Sequence, residues 1–176
     1  MKPRWLIAII GAGIVLIGAL WFALQREEIT VVGTPSAPER GTRTVELFFP
    51  AVSGEMTRET REIVAGGLLE EDVRRVVEEL IAGGETGLHP LPPATRLRNA
   101  FYDGEGEVIL NFTEHLHSDH PGGSEAENAT LRSVVTTLGV NFPGVDRVRI
   151  LVEGEAIRTL AGHTDLSRPL DVRDYR

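Results

Sequence analysis

From Trp5 to Leu24 the chain reads WLIAIIGAGIVLIGALWFAL, twenty residues without a charge. At about 1.5 Å rise per residue, a helix of that length covers the roughly 30 Å hydrocarbon core of a bilayer. Lys2, Arg4 and the α-amino group precede the run, while Arg26 behind it is answered by Glu27 and Glu28. The positive-inside rule then leaves residues 1–4 in the cytoplasm and everything after Leu24 outside. Trp5 and Trp21 stand near the ends, where interfacial aromatics belong. A cleaved signal peptide is the competing reading, because its charged start and apolar run have the same form. The run here is longer than the usual 7–15 residues and lacks a clean A-x-A site. The expectation is a single-pass cell-membrane protein with an uncleaved anchor at residues 5–24 and an extracytoplasmic remainder.

The next stretch, residues 25–42, has no helical period and carries Gly33, Pro35, Ser36, Pro38 and Gly41, the composition of a tether. The chain beyond it is long enough for one core and too short for two. The formal net charge of −8 argues against a nucleic-acid partner. The chain has no cysteine, which excludes disulfides, thiol catalysis, thiolate zinc sites and a lipid-modified N-terminal cysteine together.

Periodicity outlines the folded part. TVELFFP, residues 44–50, alternates as a strand and stops at Pro50. Over residues 70–82, Val73, Val76, Val77 and Leu80 recur at i, i+3, i+4, i+7, with acids in the first turn and Gly83-Gly84 as the stop, so an amphipathic helix is predicted. TRLRNAFY and EVILNF flank DGEG, a hairpin signal, since Asp-Gly tolerates positive φ. A second helix is predicted from Ser124, with Ser124 and Glu127 as an S-x-x-E capping box, Leu131, Val134, Val135 and Leu138 as its apolar stripe, and Gly139 as its end. RVRILV and AIRTL supply two final strands. The order β-α-β-β-α-β-β predicts a two-layer α+β domain over residues 43–170, in which one mostly antiparallel sheet is packed by two helices on one face and left open on the other. Residues 171–176 are expected as a C-terminal tail.

The succession VELFFP, VRRVVEELIAGG, LPPATRLRNAFYDGEGEVILNFT and GGSEAENATLRSVVTTLGVNFPGVDRVRILVEGEAIRTLAGHTDLSRPL resembles the GerMN domain of sporulation and spore germination proteins. Its most specific pieces are VVTTL, FPGVDRVRILVEGE and GHTDLSRPL, and the likeness spans residues 44–170. The resemblance implies a non-catalytic α+β module, similar to the ring-building domains of sporulation channel proteins, displayed outside a membrane and used for contacts with envelope proteins or with its own copies. Members of that family are often lipoproteins; this chain has a transmembrane run in place of a lipobox cysteine.

One motif points elsewhere. HLHSDHPGG, residues 115–123, matches the H-x-H-x-D-H run with which metallo-β-lactamase-like hydrolases hold two metals. In that reading His115 and His117 hold one zinc and Asp119 and His120 a second, with a shared hydroxide between them. Only 56 residues follow His120, and they contain one histidine, His163, with Asp165 nearby, which cannot complete two coordination spheres. A polar loop that ends EVILNF and leads into the second helix accounts for the same letters. Phe101, Tyr102 and Phe112 are the aromatic residues left for a third reading, a cell-wall glycan binder. The sequence therefore assigns no catalytic, cofactor or metal residue, and reads as an anchored extracytoplasmic interaction module of the cell envelope rather than an enzyme.

Overall fold

The computed structural model of the chain describes residues 41–85 and 87–175. The expected cytoplasmic start, the anchor at 5–24 and most of the tether at 25–42 lie outside the described residues. Among the described residues, no helix is long and apolar enough to cross a membrane.

Strands β1 (Thr42–Pro50) and β2 (Met56–Val64) form an antiparallel hairpin that is a sheet by itself. Helix α1 (Leu69–Ala82) comes next, then β3 (Leu97–Tyr102) and β4 (Glu107–Phe112), a four-residue helix α2 (His115–Ser118), the long helix α3 (Ser124–Asn141) and β5 (Arg147–Val152). Two short strands, β6 (Glu155–Ala156) and β7 (Leu170–Asp171), and a 3-10 turn over Val172–Tyr175 complete the domain. The second sheet runs β3-β4-β5-β6, with β7 also paired to β5. β3 is antiparallel to β4, whereas β4 and β5 are parallel, as a strand-helix-strand crossover through α3 requires.

The α+β class and the dominance of antiparallel pairing hold, but the single predicted sheet does not. β2 is absent from the prediction because MTRETREIV has no apolar phase: Ile63 is its one fully inward hydrophobic residue. The predicted AIRTL strand shrinks to its first residue, since the backbone after Ala156 turns away to other partners. Residues 171–175, expected as a tail, pack into the domain. Val172 is buried against α3, where it fills the space that a side chain at Gly139 would need. Gly139 therefore serves packing within the last turn of α3, which continues to Asn141 and ends at Phe142. Gly83, by contrast, is the predicted stop of α1, with φ at 92°.

One core joins both sheets. Val45, Leu47 and Phe49 of β1, Val108, Leu110 and Phe112 of β4, and Val148, Ile150 and Val152 of β5 face the apolar stripes Val73, Val76, Val77, Leu80 of α1 and Leu131, Val134, Val135, Leu138 of α3. Burying each such side chain is worth about 1.5–3 kcal/mol relative to exposure.

A second set of contacts fixes the hairpin against α3. The N–H and C=O of Glu46 and Phe48 point away from β2, because hydrogen bonds from Ala51 N–H to Glu55 O (2.8 Å) and from Ala65 N–H to Gly41 O (2.7 Å) set the phase of the ladder. Those outward groups meet side chains rather than a strand. Glu46 N–H donates to Asn141 Oδ1 at 2.9 Å and Asn141 Nδ2 donates to Glu46 O at 2.6 Å. Phe48 N–H donates to Thr137 Oγ1 at 3.1 Å, and Ser133 Oγ donates to Phe48 O. Ser133, Thr137 and Asn141, four residues apart along one line of the helix, are all buried. Arg43 reinforces the junction: it pairs with Asp72 of α1 at 3.1 Å, donates to Asn141 O and lies over the Phe142 ring at 4.6 Å.

Thr137→Val keeps the volume and removes the acceptor, leaving the Phe48 N–H buried without a partner. Chemical denaturation should show a loss of about 1–3 kcal/mol, with an unchanged helical circular-dichroism spectrum at low denaturant.

Candidate functional site

The HLHSDH run does not assemble a metal centre. Residues 115–118 form α2, a single helical turn pinned by Leu116, which is buried in the core. His115 is exposed. His117 directs Nδ1 at the Leu160 carbonyl, 2.8 Å away, and so donates there. Asp119 is exposed and its Oδ1 accepts from the Ser118 hydroxyl at 2.8 Å. His120 Nδ1 accepts the Gly122 N–H at 3.1 Å, which leaves the proton on Nε2; that nitrogen contacts Thr130 Oγ1 at 3.1 Å, and Thr130 in turn donates to Pro90 O at 2.6 Å. Both ring nitrogens of His120 are thus committed, and burial holds its pKa below the ordinary histidine value. The side chains of the motif diverge toward Leu160, α3 and solvent. Among the described residues, no three histidine or acidic side chains converge in a way that could hold a metal ion.

Two predicted features at this end of the domain change role. Ser124 is the first residue of α3, the N-cap is Gly123 at φ 84°, and no side chain caps the helix. Glu127, expected to face the helix start, turns into the protein and is fully buried. Its carboxylate collects the backbone of the segment around Gly162: Leu160 N–H donates to Oε1 at 3.2 Å, Thr164 N–H to Oε1 at 3.0 Å and His163 N–H to Oε2 at 3.0 Å. The His163 ring also approaches Oε2, at 3.4 Å from Nδ1. Burial by itself raises a carboxyl pKa, but the N–H donors of Thr164, His163, Leu160 and Ala161 outweigh it and hold Glu127 below the ordinary glutamate range. Asp165, the other acid of the GHTDLSRPL segment, is exposed and closes a local turn with Ser167, whose hydroxyl and N–H hold its carboxyl low. His163 and Asp165 therefore belong to the folding of this segment, with Glu127 as its anchor.

The surfaces offered to a partner are the outer face of the second sheet and the free strand edges. On the outer face, Phe101 lies opposite Ile109, which lies opposite Arg149. Phe101 is 57% exposed. Glu107 joins two neighbours there, with Arg149 Nε at 2.7 Å and Arg147 Nε at 3.4 Å. The aromatic platform considered for sugars is not assembled: Phe112 is fully buried, and Tyr102, adjacent to Phe101 in the strand, turns to the opposite face.

The arrangement is that of a two-sheet α+β module with one open sheet face and charged edges. A family model described as "Germane: Sporulation and spore germination" matches residues 46–158, and the chain belongs to that family. Solved structures share the fold. The first GerMN domain of the sporulation protein GerM from Bacillus subtilis is 22% identical, with a TM-score of 0.60 over 75% of this chain and 99% of that one. A protein of Clostridium perfringens assigned as a lipoprotein is 24% identical, with a TM-score of 0.56 over 76% of this chain and 90% of that one. The tandem GerMN domains of the same B. subtilis protein give 16% identity and a TM-score of 0.52, over 80% of this chain and 47% of that one. No curated protein matches the chain.

Glu127→Gln keeps the shape but removes the charge and one acceptor. Because the folded pKa of Glu127 lies below its unfolded value, its contribution is complete above about 4.5 and is lost as pH falls through the folded pKa. Urea unfolding across pH should show the variant less stable by about 2–4 kcal/mol at neutral pH, with the two proteins converging in acid.

Proposed function

We propose that this chain is a membrane-anchored, extracytoplasmic interaction module of the bacterial cell envelope, which scaffolds an assembly and performs no chemistry of its own. Membership in the sporulation and spore germination family is the observation that carries this reading. Three further features support it. The uncharged run at residues 5–24 has the length of a membrane span and a positive flank on one side. The histidine and acidic side chains that could do chemistry are bound into the fold: His120 to Thr130 and Gly122, Glu127 to four backbone N–H groups. What the domain leaves free is backbone along an edge strand and an outer sheet face with an exposed phenylalanine among charged residues, the elements of side-by-side docking. An anchor holding many copies in one plane converts such weak lateral contacts into an arc, ring or cluster, because confinement raises their effective concentration.

Cross-linking of the full chain in intact membranes, with identification of the captured neighbour, tests the reading. Oligomers or a defined envelope protein are expected. Monomers alone, at native density and with a cross-linker that reaches the sheet face and edges, would overturn it.

A further inference from the structure

An anchored interaction module needs a docking partner, and the free edge of β2 identifies one. We propose that β2 is a self-complementary edge strand, and that two copies of the chain join through it in an antiparallel pair centred on Thr60.

The geometry of the hairpin limits the register, and the order of its outward side chains selects it. β1 opposes β2 from Thr42↔Val64 to Pro50↔Met56. The ladder phase given by Ala51 N–H to Glu55 O and Ala65 N–H to Gly41 O makes Thr57, Glu59, Arg61 and Ile63 the β2 residues bonded to β1. The N–H and C=O groups of Met56, Arg58, Thr60, Glu62 and Val64 therefore point outward. Among the described residues no strand pairs with that side of β2. The same five residues direct their side chains to the face away from the core, since Ile63 of the alternate set is buried and Val64 is 47% exposed.

Along this face the order is Met, Arg, Thr, Glu, Val, an apolar residue and a charge on each side of a central threonine. Turned about Thr60 and laid antiparallel on itself, the strand places Thr60 opposite Thr60, Arg58 opposite Glu62 and Met56 opposite Val64. Each opposed pair consists of residues whose backbone groups point outward, so each can exchange two hydrogen bonds, about ten across the junction. A slide of one residue, with Thr60 opposite Arg61, would oppose outward groups with inward ones and form no ladder. A twofold through Arg61 keeps the ladder but sets Arg58 opposite Val64 and Thr60 opposite Glu62, with no pair of opposite charges. The Arg58 guanidinium already lies on this face, 3.3 Å from Glu46 Oε1 of its own hairpin, with its side chain 62% exposed. A partner's Glu62 adds a second carboxylate to it. Charges on an edge ordinarily keep other strands away; here their order repels most strands and matches a second copy. The result is a four-stranded sheet across a twofold axis, an isologous contact that closes on itself. Its area is small, so the pair is weak in free solution and depends on anchoring in one membrane; in that respect the inference rests on the anchored-module reading.

The absence of native cysteine permits a direct test in membranes with the full chain. Thr60→Cys should form a disulfide dimer under mild oxidation at least about ten-fold more than Val52→Cys at the exposed hairpin tip, because opposed residues of a bonded pair stand about 5.5 Å apart at Cα. Chains carrying Arg58→Cys and Glu62→Cys should cross-link when mixed and not with themselves, since like positions are about 13 Å apart. In the Thr60→Cys background, Arg58→Glu or Glu62→Arg should lower the dimer roughly ten-fold, two opposed pairs turning repulsive together, and the double exchange should restore it. Equal yields at positions 60 and 52, or a double exchange that does not recover, overturn the proposal. Thr60→Cys capturing an envelope protein and no second copy overturns it too, while leaving the interaction-module reading standing. Monomers both here and on general cross-linking of intact membranes end both.

Discussion

The domain depends on a helix standing where a strand would normally lie. β1 needs a hydrogen-bonding partner on each side, and β2 supplies only one. Ser133, Thr137 and Asn141 supply the other, each reaching the outward backbone of Glu46 or Phe48. An α-helix can do this because residues four apart rise about 6 Å, close to the 6.5–7 Å between alternate residues of a strand. The match locks α3 along β1 in one register. The remaining elements take their positions from it: α3 leads into β5, which pairs parallel with β4, and its N-terminal half carries Glu127. The Arg43 contacts to Asp72, Asn141 and Phe142 bind α1 to the same junction. Left unpaired in this interior, the same polar groups would cost more than they now contribute, which makes the junction specific as well as stable.

Glu127 performs a comparable service at the other end of α3. A buried carboxylate is tolerated when enough donors surround it, and here the donors are backbone N–H groups of residues 160–164. Those residues form no regular structure and would otherwise leave the same N–H groups unsatisfied. Charge and loop thus satisfy each other. The arrangement places Leu160 and Leu166 in the core and lets β7 return to pair with β5.

Much of the fold is legible from periodicity, and the failures share a cause. α1, the apolar stripe of α3 and the β3-β4 hairpin announce themselves because burial of hydrocarbon at a fixed period is what sequence pattern reports. β2 is silent since its pairing uses backbone, and Arg58, Glu59, Arg61 and Glu62 obscure the alternation. Ser124 and Glu127 spell a capping box, yet the same two letters serve a helix whose glutamate turns inward; spacing along a helix does not tell which way a side chain at its first turn faces. The histidine run fails as a site for a related reason: proximity in sequence does not make the rings converge, since His117 is held by the Leu160 carbonyl and His120 by Thr130 and Gly122. A readable signal did exist in Ser133, Thr137 and Asn141, a polar line at spacing four beside an apolar stripe, which marks a helix buried on more than one side. Gly139 is legible as small but not as a packing position, because the side chain it accommodates, Val172, lies far along the chain.

The sealed side of β1 has a consequence for growth. Exposed hairpins are feared in crowded envelopes because each added strand presents a fresh template, and the process has no built-in end. With α3 fastened over one flank, this hairpin can be extended in a single direction only, so the first copy to dock there also terminates the series. The helix acts as a stopper against fibre formation, and it lets the hairpin keep a bare strand on display without polymerising through it.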